Sequence, residues 1–325
     1  MRASTLLHTG LVLGTLSILA ACGDDTGGTG GSSTSSTTTT TTTSTTTTTS
    51  GTGGAGGEGG AGTGGSAAGG NGTGGEGGGG VGTPADHLLI SEIGFSPVAN
   101  EFIEIYNPTA AAIDLTDVYL SDNSTYHQLA SGGAWSPITN NPGTDFLARF
   151  PAGTTIPAGG VLVIGFDVGY FAAWNDCPDF YMGTEALSCN GGMVPAMLAT
   201  EAGSITNSSN LSDSREMVVL FTWSGTVGQT LKDIDYVTWG STFENGTRAD
   251  KTGVAGYLAD TAPAQQSGAP LHDPLGSIER CQFETGEDLS GGNGITGHDE
   301  TSESLASSFV VAGTPSPGTK NGCLP

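Results

Sequence analysis

Positive charge is scarce in this chain: eight Lys and Arg stand against 32 Asp and Glu over 325 residues. After residue 83 the balance is 28 acids to 7 bases, a net charge of −21. Such a surface repels nucleic-acid phosphates and anionic lipid headgroups, so nucleic acid is not an expected partner. It suits a solvated exterior, divalent cations or a basic partner. Catalytic signatures are missing as well. There is no Gly-x-Ser-x-Gly elbow for a serine nucleophile and no His-Glu-x-x-His for a zinc hydrolase. The glycine-rich stretch has no Gly-Lys-Ser/Thr after it and no strand before it, which excludes a phosphate loop. No Cys-x-x-Cys pair occurs, and His8, His87, His127, His272 and His298 are scattered. Spacing therefore offers no metal ligand set, and no cofactor is expected, with calcium open only through the general acidity.

What the chain does have begins with an export signal. Met1-Arg2 gives a positive start, and Leu6 to Ala20 is an apolar stretch too short to span a bilayer comfortably. It ends Leu19-Ala20-Ala21-Cys22-Gly23, which resembles the bacterial lipobox. The resemblance implies that residues 1–21 are removed and that Cys22 becomes the lipidated first residue, with the membrane as its partner. Gly23 in place of Asp, by the same resemblance, permits passage to the outer membrane. The expected location is the cell envelope of a Gram-negative-type bacterium, facing periplasm or exterior. Residues 22–83 then lose almost every apolar side chain: 32–50 are Ser and Thr only, and 51–82 are mostly Gly. Nothing there offsets the entropy of ordering, so a disordered tether is expected, with a root-mean-square span of roughly 40–45 Å.

Beyond Pro84 the pattern changes to short β-type runs separated by Gly, Pro, Asn and Asp. Leu88–Ile93, Phe102–Tyr106, Val118–Leu120, Val161–Ile164, Met217–Phe221, Ile234–Trp239 and Ser277–Arg280 read as strands. No longer segment holds helical periodicity, which predicts one all-β sandwich over residues 84–325. Besides Cys22, four cysteines remain (Cys177, Cys189, Cys281 and Cys323). In an exported chain they predict two disulfides with three possible pairings. Cys177–Cys189, closing a short loop, and Cys281–Cys323, tying back the C-terminus, are the favoured pairs.

The order of the runs carries a second resemblance. Ile90-Ser91-Glu92-Ile93, then Glu101-Phe102-Ile103-Glu104-Ile105-Tyr106-Asn107-Pro108, then Ile113-Asp114-Leu115 and Val118–Asp122 resemble the opening of the lamin-tail domain family. Phe150–Val163, Ile234–Gly240, Ser277–Arg280 and Gly313–Asn321 extend the likeness over most of 86–321. Loops at about 123–148, 170–213 and 241–275 are longer than the family norm. The resemblance implies an immunoglobulin-like β-sandwich with long loop insertions. It also implies a non-catalytic accessory role, since bacterial members often accompany hydrolases.

Residue by residue, Phe102, Ile103 and Ile105 are expected in the core, with Glu101 and Glu104 facing water or pairing locally. Arg280 is expected to fasten a carboxylate such as Glu92 or Glu104. His272-Asp273 and His298-Asp299-Glu300 sit in Gly/Pro/Ser-rich loops and read as exposed. Asp233 with Asp235, and Asp114 with Asp117, are short-spaced oxygen ligands without an EF-hand loop, and read as solvated turns. Tyr170, Phe171, Trp174, Phe180 and Tyr181 around Cys177 offer a binding platform or, preferably, a packed cluster under a long loop. The functional expectation is a binding or scaffolding module on a stalk, with a protein or glycan ligand unspecified and no catalytic residues. A metal-assisted extracellular hydrolase and a calcium-stabilised surface or matrix component are the alternatives.

Overall fold

A computed structural model describes residues 85–134, 144–240, 246–271 and 276–325, all within the unit Thr73–Pro325. The leader, Cys22, the tether and His272-Asp273 lie outside the described residues. The strands, in chain order, are β1 (Leu89–Gly94), β2 (Phe102–Tyr106), β3 (Ile113–Asp114), β4 (Val118–Ser121), β5 (Leu147–Arg149), β6 (Thr155–Ile156), β7 (Val161–Gly165), β8 (Phe180–Tyr181), β9 (Leu187–Cys189), β10 (Gly192–Val194), β11 (Leu198–Ala199), β12 (Arg215–Thr222), β13 (Lys232–Gly240), β14 (Ser277–Arg280) and β15 (Phe309–Ala312). Helical pieces among the described residues are short, with α1 (Tyr170–Trp174) and α2 (Leu305–Ser308) the α-helical ones.

Two sheets make the sandwich. One runs β15-β14-β1-β2-β7-β8, and the other β11-β5-β4-β12-β13. Pairing is antiparallel throughout the larger sheet except between β7 and β8. Ile90, Ile93, Ile103, Ile105 and Ile164 of the first sheet face Leu120, Val218, Leu220, Val237 and Trp239 of the second in one core. Side chains of this kind contribute about 1.5–3 kcal/mol each when fully buried, so this layer is the main source of cohesion.

The uninterrupted run Met217-Val218-Val219-Leu220-Phe221 has a physical reason. Val218 and Leu220 point into the sandwich, while Met217, Val219 and Phe221 point outward into a second cluster with Tyr126, Leu129, Trp223 and Tyr236. The long loops thus cover the outer face of the sheet, and a strand buried on both faces needs no polar alternation. The first sheet is covered likewise. Phe102, Val163 and Tyr170 pack together with Trp174 on its outer side, and Leu89, Tyr106, Phe283 and Leu324 pack at another point. The end of β13 depends on Gly240, at φ 87°, where a Cβ would overlap the Ser214 carbonyl and Arg215.

The disulfides are Cys177–Cys189 and Cys281–Cys323. The second follows β14 and holds the C-terminal tail against the outer face of β1 and β2. There Ser316 N donates to Glu92 (3.1 Å), Gly318 N to Glu104 (2.9 Å), and Asn321 Nδ2 to the Ser91 carbonyl (2.8 Å).

Candidate functional site

Two of the domain's few cations, Arg280 and Lys251, are placed where they neutralise buried acids. Arg280 is wholly buried, and its partners differ from the expected ones. Its Nη2 donates to both oxygens of Asp235 (2.9 and 3.0 Å), Nη1 to Glu303 (2.6 Å) and Nε to the Ile90 carbonyl (3.1 Å). The Phe309 ring lies beneath it, 4.6 Å from the guanidinium carbon. Because Asp235 belongs to β13 and Arg280 to β14, this pair joins the two sheets. Burial alone would lower the Arg280 pKa, but the charges of Asp235 and Glu303 outweigh it and raise it. Lys251 repeats the arrangement at the neighbouring aspartate. Its Nζ lies 2.7 Å from Asp233, 3.0 Å from Asp260 and 2.8 Å from the Tyr126 hydroxyl. Asp233 and Asp235 are therefore buried strand residues, not solvated turns. Asp114 and Asp117 remain exposed, with Asp114 accepting from Thr116 within its own turn.

Glu101 and Glu104 also depart from expectation, being 2% and 0% exposed. The 204–213 loop covers Glu101, just ahead of β2, and the tail lies over the Glu104 face that alternation would have left to water. Glu101 accepts from Leu211 N (3.0 Å), and Glu104 from Ser91 Oγ (2.7 Å). Burial pushes the Glu101 carboxyl up to about 8 and the Glu104 carboxyl to about 7. Glu92 is raised too, by burial against the help of Ser277 and Ser316.

A third cluster gathers the residues before β1 and the segment 284–300. His87, 1% exposed, has Nδ1 3.0 Å from Asp86 and Nε2 2.5 Å from Glu284. His298 reaches the same place, with its ring centre 6.3 Å from that of His87 and its Nδ1 3.2 Å from Glu287. Glu300, 3% exposed, completes the group, so His298-Asp299-Glu300 is not an exposed loop. His87, Glu284 and Glu300 each bring one donor atom within 4.8 Å of the others, and so do Glu284, Glu287 and His298. Gly292 lets the loop close here, since a Cβ would overlap the His298 carbonyl and Asp299. Burial and the neighbouring glutamates push the Glu287 carboxyl up to about 8. The His87 imidazole rises to about 9, because Glu284 outweighs a burial effect of opposite sign.

On the outer side of the second sheet lies an open cleft of about 440 Å³ between β4, β5, β11 and the turn after β12. Tyr119, Arg149, Leu198, Thr200 and Trp223 are among its lining residues. Tyr119 and Trp223 form the aromatic floor, with ring centres 6.0 Å apart, and the Trp223 indole is pinned by donation to the Gln229 carbonyl (2.9 Å). Arg149 is the charged group of the lining, half-buried on edge-proximal β5. The volume suits a small ligand or one projecting group of a larger partner. By contrast, the aromatics around Cys177 are packing: Tyr170, Phe180 and Tyr181 are buried, with Phe171 and Trp174 half-covered beside them. His127 is buried between Tyr126 and Tyr257, and burial lowers it to about 4.

Sequence reasoning found the cysteine pairs and Arg280 but not the Lys251 centre, the cleft, or the meeting of His87 with His298. The available signal was the small number of cations beside many carboxylates, which made a buried Lys or Arg a natural charge partner.

No curated protein matches the chain. Among solved structures, a DUF4876 family protein from Bacteroides thetaiotaomicron VPI-5482 is similar at 14% identity and a TM-score of 0.39, over 73% of this chain and 74% of that one. The family model described as Lamin Tail Domain matches residues 82–241, from the approach to β1 through the end of β13. Strands β14 and β15 lie beyond that match, yet they extend the same sheet through β1. The match supports the lamin-tail domain family for residues 82–241, and the β domain has that family's immunoglobulin-like sandwich with long loop insertions.

Proposed function

We propose that the chain is a non-catalytic binding or scaffolding module, held at the bacterial cell envelope by a lipid on Cys22 and displayed on the 22–83 tether. The observation that carries this reading is the cleft over β4 and β5. It combines an aromatic floor with one arginine, and its lining includes neither a nucleophile–base pair nor a carboxylate pair. A ligand would lay an apolar face against Tyr119 and Trp223 and offer an acceptor to Arg149. The lipobox-like Leu19-Ala20-Ala21-Cys22 supports the anchor, and the lamin-tail match supports an accessory β domain without chemistry of its own. The histidine–glutamate cluster, with His87 and Glu300 buried, favours a structural role over a metal-assisted hydrolase.

Two measurements test the reading. Cys22→Ser should move the full chain from the membrane fraction to the soluble fraction. The purified chain should stay inert towards phosphate esters, nucleic acids, glycans and peptides. Turnover that tracks the protein, or a Cys22→Ser chain still held at the membrane, would contradict it.

A further inference from the structure

We propose that His87, Glu284, Glu287, His298 and Glu300 form an enclosed site for one divalent transition-metal ion of the zinc type, clasping the start of the β domain to the 284–300 segment. The two triads share Glu284, and each spreads its donor atoms over no more than 4.8 Å. Tetrahedral bonds of about 2.0–2.2 Å put ligand atoms about 3.4 Å apart, so a triad spread over up to 4.8 Å must close by up to about 1.4 Å onto an ion.

Several independent features point to a cation at the centre. Glu287 Oε1 and Glu300 Oε1 are buried without a hydrogen-bond donor, while His87 Nε2 and Glu284 Oε1 face only each other across 2.5 Å. Buried carboxyl oxygens left without a donor are unfavourable, and a bound cation would supply the missing partner. Arg280 is already committed to Asp235 and Glu303. His87 is prepared as a ligand: Asp86 lies against Nδ1, which fixes the tautomer that offers Nε2 inward, as carboxylate partners do for metal-bound imidazoles. Glu300 is held from the other side. Asp299 accepts from Thr301 N (3.1 Å), Thr301 Oγ1 (2.6 Å) and Thr261 Oγ1 (2.7 Å), locking the backbone from which Glu300 projects.

Imidazole with carboxylate is a donor set for zinc, manganese or cobalt, whereas calcium and magnesium take oxygen ligands alone. A further group, Glu279 with Cys281 and Cys323, lacks this capacity because both sulfurs are spent in a disulfide. The site is enclosed, with His298 the ligand nearest solvent at 17% side-chain exposure, so its role is structural. His87 follows the 22–83 tether directly, and the clasp would therefore sit where a pull on the lipid anchor enters the domain.

The test uses the full chain in detergent with disulfides intact, stripped with EDTA, dialysed metal-free and titrated with Zn²⁺ and separately with Co²⁺. The expected result is one Zn²⁺ per chain, visible Co²⁺ ligand-field bands without a thiolate charge-transfer band, and a higher melting temperature on loading. Glu300→Gln and, separately, His298→Ala should each weaken binding at least about tenfold. His298→Ala, at the solvent edge, keeps the test decisive if Glu300→Gln disturbs folding, with near-UV circular dichroism as the check. Binding of less than about a tenth of an equivalent, unchanged affinity in His298→Ala, or displacement of Zn²⁺ by equimolar Ca²⁺ would each overturn the proposal.

Discussion

Replacing Lys251 by methionine isolates the electrostatic component of this fold. The methionine fills most of the volume of the lysine stem, so little cavity forms. What disappears is the ammonium between Asp233 (2.7 Å) and Asp260 (3.0 Å), together with its bond to Tyr126 (2.8 Å). Both aspartates are within a few per cent of complete burial. Removing one partner of such a group typically costs about 3–5 kcal/mol, because the remaining charge is stranded. For a domain of this size each kcal/mol shifts the melting temperature by about 2–4 °C, so the loss should be about 6–20 °C. Near-UV circular dichroism during heating and urea unfolding, with disulfides intact, would measure it. Adding Asp233→Asn and Asp260→Asn to Lys251→Met should recover most of the loss, since the stranded charges are then gone. A single variant melting within 2 °C of the wild type would refute the reasoning, as would a triple variant no better than the single.

Three further outcomes follow from the same physics. Glu101 is an acid whose folded pKa, about 8, lies above its unfolded value, so the folded state holds the extra proton. Its contribution is therefore greatest at low pH and is lost as pH rises from about 4.5 to 8, by up to about 1.4 kcal/mol per unit. Urea midpoints measured from pH 5 to 8.5 should fall in the wild type and stay flatter in Glu101→Gln. Cys323→Ser should free the tail from Glu92 and Glu104 and cost about 2–4 kcal/mol in urea unfolding, with faster hydrogen exchange in β1 and β2. Gly240→Ala, forced into φ 87° against Ser214 and Arg215, should cost about 1–3 kcal/mol in thermal unfolding, more than an alanine at the open turn Gly225.

The strand skeleton was legible because its runs are local signals. Val161–Ile164 after Pro157-Ala158-Gly159-Gly160, and Ile234–Trp239, announce themselves by β-branched and aromatic content between turn residues. Strands β5, β8 to β11 and β15 were not anticipated; all are two to four residues long, too short for a period to register. The charged residues were misplaced for a different reason. In Glu101-Phe102-Ile103-Glu104-Ile105 the alternation identifies one inward face correctly, but whether the other face meets water depends on a tail more than 200 positions away in sequence. Arg280 was assigned to the right class of partner and the wrong carboxylates, since Asp235 reaches it only across the sandwich. His87 and His298 are brought together by the fold from either end of the domain, and nothing in the spacing of histidines along the chain foretells it.

The most direct test of a displayed binding module is crosslinking on intact cells, followed by capture of the tagged full chain and identification of what is bound. The account predicts a specific partner that is lost on deletion of residues 84–325 and on Arg149→Glu, yet kept when the 22–83 tether is shortened. Capture unaffected by Arg149→Glu, or a chain that recovers only itself, would contradict a ligand-binding role for the β4–β5 cleft.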